Sequence, residues 1–128
     1  MAERSEAYQR GVETRKALFG EEGVRRAEAW ARIDPGLVDW LMESVWGGIL
    51  SRPGLDRRDR ELITVAALAA LDKPRELEYH IHGALAVGLS KQEILEAIIQ
   101  MAVYAGVPAC LNGLHVAEKV FKERGLMP

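Results

Sequence analysis

Glu76 and His80 stand four residues apart in the run PRELEYHIHGALAVG, residues 74–88. On a helix this spacing brings a carboxylate within reach of an imidazole. Such a carboxylate fixes the ring's tautomer and favours its protonated form, the state a proton donor needs. The same spacing also describes a solvent-exposed pair, and spacing alone favours that plainer arrangement. His82 projects to the other side of the helix and reads as surface.

Glu61 lies on one stripe with Val65 and Leu68 of an apolar segment, so it can be drawn inward. A carboxylate in such a place is neutralised by an arginine or tuned for proton transfer, unless it simply favours the helix dipole from the first turn. Just before it, SRPGLDRRDRE sets Arg52, Arg57, Arg58 and Arg60 around a helix start. Cations there oppose the macrodipole, and an anion should offset them. The candidates are Asp56 and Asp59, an acidic patch on a neighbouring subunit, or a bound carboxylate. Four arginines exceed two acids, so Arg52 and Arg57 are candidate carboxylate clamps. Trp46 can be core or pocket wall. His115 flanks the apolar stripe of the last helix, where a histidine usually just bonds a carbonyl or a glutamate. Cys110 has no partner thiol and reads as a small core residue.

These groups must be positioned by helices, because helix signals recur along the chain and no segment alternates as a half-buried strand does. A first helix spans roughly 3–18 and ends at Gly20, and a second covers about 22–32. Asp34-Pro35 caps a third that runs to Gly47-Gly48. Asp56 caps the next, through Leu71, whose ITVAALAAL portion is apolar almost all round. Lys73-Pro74 opens the helix of Glu76 and His80, which Gly88 closes. SKQE at 90–93 is a capping box for a helix to about Tyr104, and a last helix follows Gly106-Val107-Pro108 to near Arg124. The expected fold is all-α, an antiparallel bundle of about six to seven helices in one domain, 1–128. Two helices carry more apolar circumference than a small bundle covers, so a homo-oligomer is expected.

Composition narrows the function classes. The chain has 128 residues, 48% hydrophobic and 28% charged, with a formal net charge of -2. No dominant basic face is available for nucleic acid or a membrane surface. The charged N-terminus and the lack of a long apolar run point to a cytoplasmic protein without a membrane partner. A single cysteine rules out a CxxC pair and a multi-thiolate zinc site within one chain, and His80 and His82 diverge on a helix, so no metal is expected.

In combination, WG before RPGLDRR, EL with a histidine four residues after its glutamate, and YAGVPA make the sequence resemble the carboxymuconolactone decarboxylase family over nearly its whole length. The wider family includes disulfide reductases that carry Glu, CxxC and His. Set on that pattern through His80 and Gly88, this chain keeps Glu61 and His80 but has Lys73 and Glu76 in place of the cysteines, so thiol chemistry is not implied. The decarboxylase branch often has a small polar residue where Glu61 stands, which leaves the exact substrate open.

The resemblance implies a hexameric, cofactor-free enzyme. It would remove CO2 from a carboxylated butenolide lactone to give 3-oxoadipate enol-lactone. His80 would be the proton donor, Glu76 its orienting carboxylate, and Arg52 or Arg57 the clamp; Trp46, His115 and Glu61 are further candidates for the pocket. Two alternatives stand beside this: a related cofactor-free enzyme acting on another lactone or keto acid, and a non-catalytic helical oligomer whose Glu76–His80 pair is structural.

Overall fold

The computed structural model describes residues 3–128. Among them all regular structure is helical: α1 Glu6–Glu28, a 3-10 segment Ala29–Arg32, α2 Pro35–Trp40, a π-helix Leu41–Ile49, α3 Arg57–Ala70, α4 Pro74–Ala86, α5 Lys91–Ala105 and α6 Val107–Glu123. The protein is therefore all-α. Its contacts group into two compact units, Met1–Asp56 and Arg57–Pro128, where the sequence reads as one domain.

In the first unit α1 begins at Ser5, whose hydroxyl accepts the Tyr8 amide, and it breaks at Gly20, with φ 70° and ψ -169°. That break separates the two helices expected around residues 18–22. Asp34 caps α2 through the Gly36 amide, with Pro35 at the first helical position. The chain does not continue as an α-helix. Hydrogen bonding widens into the π-helix, seen in the Leu50 amide reaching back five residues to the Val45 carbonyl.

Glycine explains how closely α1 approaches this π-helix. A Cβ on Gly47 would lie 1.8 Å from the Ala7 carbonyl oxygen and 2.6 Å from that of Met42, and one on Gly11 would lie 2.0 Å from the Met42 oxygen. Only hydrogen at these two positions lets the backbones meet. Tyr8, Ala27, Val38 and Met42 fill the small core of this unit.

In the second unit α3, α4, α5 and α6 each contact the other three. Their shared core includes Val65, Leu77, Ile81, Ile98 and Phe121. Glu61, Val65 and Ala69 form the buried stripe of α3, and Leu77, Ile81 and Ala84 that of α4. α3 and α4 are joined by a turn in which Asp72 takes a left-handed φ of 55°. The capping box at the start of α5 is formed as expected: Glu93 donates its amide to the Ser90 hydroxyl, and the Ser90 amide donates to the Glu93 carboxylate.

Gly47→Ala should destabilise the protein by about 3 kcal/mol or more, the upper end for overpacking, because the obstructing atoms are backbone carbonyls. Gly54→Ala, where a Cβ meets nothing within 4 Å, should stay within about 0.5 kcal/mol of the parent. Urea denaturation of both variants checks this, and equal midpoints would overturn the account of the close approach.

Candidate active site

His80 is paired with Glu61, not Glu76. Its Nδ1 lies 3.0 Å from one oxygen of the Glu61 carboxylate and 3.2 Å from the other, so the two helices α3 and α4 are bonded through the pair. The Glu61 side chain is 5% exposed and that of His80 15%. Glu61 starts the buried stripe of α3, one turn above Val65, and His80 borders the buried stripe of α4 next to Ile81. The core that seals those stripes thus carries the carboxylate inward and sets the imidazole against it.

This geometry dictates the ring's chemistry. An ionised carboxylate can only accept, so Nδ1 donates to Glu61, and Nε2 becomes the position that takes or gives a proton. Tyr79 adds an edge-on contact to the imidazole, with ring centroids 6.1 Å apart.

Glu76, expected as the orienting carboxylate, lies in the first turn of α4, is exposed, and makes no hydrogen bond or ion pair among the described residues. Spacing of four allows contact along a helix, but a buried carboxylate on the neighbouring helix competes better for the ring. His115 is exposed on α6, not packed beside the apolar stripe. Arg57 is exposed at the start of α3. Arg58 is bonded to Glu93 of α5, which answers for one of the cations crowded at that helix start. The Ser90 amide, together with Arg58, holds the Glu93 carboxyl below its usual range.

Two candidates belong to the first unit. Trp46 is buried on the π-helix, edge-on to Phe19 with centroids 5.8 Å apart, and the Arg15 guanidinium lies over both rings at 5.0 and 5.3 Å. Its carbonyl accepts from the Ser51 hydroxyl, which also meets Thr14. Arg52 follows in the exposed turn after the π-helix. In the second unit a groove of about 420 Å³ runs between α3 and α5, with Leu62, Ala66, Ala97 and Met101 among its lining residues. Neither Glu61 nor His80 lines it. Among the described residues no group of three or more His, Cys, Asp or Glu side chains could hold a metal ion, and no helix is long and apolar enough to cross a membrane.

The model of the carboxymuconolactone decarboxylase family matches residues 35–119, which contain Arg52, Arg57, Glu61 and His80. The chain belongs to that family. It is 37% identical over 122 residues to a 4-carboxymuconolactone decarboxylase of Acinetobacter baylyi, covering 94% of this chain and 91% of that one. It is 34% identical over 118 residues to a nitrosuccinic acid decarboxylase of Metarhizium robertsii, covering 91% and 82%. It is 35% identical over 98 residues to an uncharacterised 15.0 kDa protein of Paracoccus denitrificans, covering 74% and 72%.

Nitrogen-15 NMR of the imidazoles tests the pairing. At a pH where the ring is neutral, the tautomer protonated at Nδ1 should predominate in His80, and Glu61→Gln should weaken that preference while Glu76→Gln leaves it untouched. A Glu76 effect equal to that of Glu61 would overturn the assignment.

Proposed function

We propose that this protein is a cofactor-independent decarboxylase that converts 4-carboxymuconolactone to 3-oxoadipate enol-lactone and CO2, in the cytoplasm. The observation that carries the reading is the His80 imidazole held at Nδ1 by the buried Glu61, in a chain that aligns over 94% of its length with a decarboxylase of that name. In this chemistry the carboxylate on the ring carbon leaves as CO2. Its electron pair moves through the ring double bond to the lactone carbonyl oxygen, giving a dienolate. The substrate is its own electron sink, so the protein has to supply an acid and cationic groups for the carboxylates.

His80 is the acid, donating from Nε2 to carbon. Glu61 is the positioning residue that keeps Nδ1 protonated and the ring oriented; Glu76, exposed and unbonded to the ring, is not assigned that part. Arg52 and Arg57 are proposed as clamps for the substrate carboxylates, with the bidentate fork that a lysine lacks. A second reading, removal of CO2 from a different small carboxylic acid, is supported by the similarity to the nitrosuccinic acid decarboxylase. It uses the same acid and differs in the substrate that gives product.

Turnover of 4-carboxymuconolactone, followed by CO2 release and enol-lactone formation, tests the assignment. His80→Ala should lower kcat by about 10²–10⁴-fold, the usual contribution of a general acid, with the fold retained. Unchanged turnover would remove His80 from the mechanism. Arg52→Lys and Arg57→Lys should raise KM, while Arg58→Lys should alter stability through its Glu93 bond instead; unchanged KM in both clamp variants would end that assignment.

A homo-oligomer, a hexamer by the family resemblance, is part of the same proposal. Its support is the exposed apolar row of Ile99, Val103 and Tyr104 on α5 with Val107 and Leu111 on α6, of which Val103 is 77% and Tyr104 76% exposed. Val103→Glu with Leu111→Glu should lower the sedimenting mass, and a parent protein that sediments as a monomer would overturn the assembly.

A further inference from the structure

We infer that His82 is a proton-sensitive latch on the end of α6: the neutral ring holds Arg124, and an added proton releases Arg124 and turns the ring to Glu78. The latch is independent of the decarboxylase reading. It lies about 200° around α4 from His80, which is turned to Glu61 of α3 instead. His82 reads as surface in the sequence, but the structure makes it partly buried and gives it a partner on another helix. Its Nδ1 lies 3.2 Å from a terminal guanidinium nitrogen of Arg124, the residue that ends α6. A guanidinium has only donors, so Nδ1 is the accepting nitrogen and the ring carries its one proton on Nε2. Burial, and after it the charge of Arg124, pushes the His82 pKa below the usual histidine value; Glu123 and Glu78 oppose this shift and Lys119 adds to it.

What Arg124 fastens is the turn that closes α6. Gly125, with φ 70°, reverses the chain; its amide donates to the Lys122 carbonyl, and the Leu126 amide donates to that of Phe121 at 2.8 Å. Lys91 of α5 donates to the Leu126 carbonyl, and Met127 packs on the core. The bond from His82 ties this turn to α4. A second tie stands beside it, with Lys119 of α6 2.7 Å from Glu78 of α4. Protonation at Nδ1 removes the acceptor and sets two cations at hydrogen-bond distance. It also makes the ring a donor to Glu78, four residues earlier and therefore on the same side of α4. Both ties loosen together, the first by repulsion and the second by competition for Glu78. Linkage fixes the direction: a histidine whose folded pKa is lowered contributes stability that is present above the unfolded value of 6.5 and lost as the pH falls through the folded one.

Two measurements on the full chain test the latch, with folding of each variant checked by circular dichroism. In an NMR titration, the His82 ring, assigned by its absence in His82→Gln, should show a pKa below 6.5 that rises in Arg124→Gln and falls further in Glu78→Gln. Hydrogen exchange at the Leu126 amide, corrected for the intrinsic effect of pH, reads the turn itself. Between about pH 8 and about pH 5 the parent should lose about tenfold in protection for each pH unit by which the His82 pKa is depressed. His82→Gln keeps an acceptor for Arg124 but cannot titrate, so its protection should stay level. A His82 pKa at or above the usual value, or one unmoved by Arg124→Gln, would overturn the latch. So would Leu126 protection that is level in the parent or declines equally in His82→Gln. A pKa unmoved by Glu78→Gln would overturn the transfer of the ring to that carboxylate.

Discussion

A carboxylate kept almost wholly out of water must find a donor or an opposite charge, and in this protein that requirement falls on Glu61. His80 meets it, and the rest of the second unit is arranged so that it can. α3 and α4 present one buried stripe each, and rotation of either helix by a fraction of a turn would part the carboxylate from the imidazole. α6 holds the two in place from behind: a Cβ on Gly113 would lie 3.5 Å from the Ala69 Cβ and 3.6 Å from a Leu77 methyl, with Ile98 of α5 at 2.8 Å. A pair of this kind adds little to stability compared with apolar side chains of the same volume, yet removing one partner costs about 3–5 kcal/mol. Each partner therefore depends on the other although the pair as a whole contributes little.

The helical class and most helix ends were legible in the sequence because their signals are local. Asp34-Pro35, the Ser90–Glu93 capping box and the break at Gly20 each act within a few residues, and each stands where its chemistry puts it. The π-helix was not legible. Its wide hydrogen bonding accompanies a close approach between Gly47 and the backbone of α1, a contact between segments far apart in sequence. His80 was legible as a candidate for the same reason as the caps, since it borders a periodic stripe. Its partner was not, because the choice between Glu76 and Glu61 depends on how two helices are rotated against each other. The inward pull on Glu61 was visible from Val65; the imidazole waiting for it was not. Periodicity likewise placed His115 beside an apolar stripe, but one residue of rotation, about 100°, is enough to turn it to solvent.

The crowding of arginines at the start of α3 has a partly intramolecular answer. Arg58 reaches Glu93, the same carboxylate that caps α5, so the N-termini of two helices share one anion. Positive charge that opposes the dipole of α3 is offset by a group that complements the dipole of α5. Arg58 is thereby committed to holding the bundle.

The dyad is also a short-range structure. Glu61 and His80 are 19 residues apart and sit on consecutive helices joined by a tight turn. Closing a loop of that size costs little chain entropy, and contacts of small sequence separation form early when a chain collapses. The reactive pair can therefore be assembled by one helical hairpin during folding, before the longer-range packing of α5 and α6 is complete. A pair so placed can take its geometry before its seclusion from water is complete.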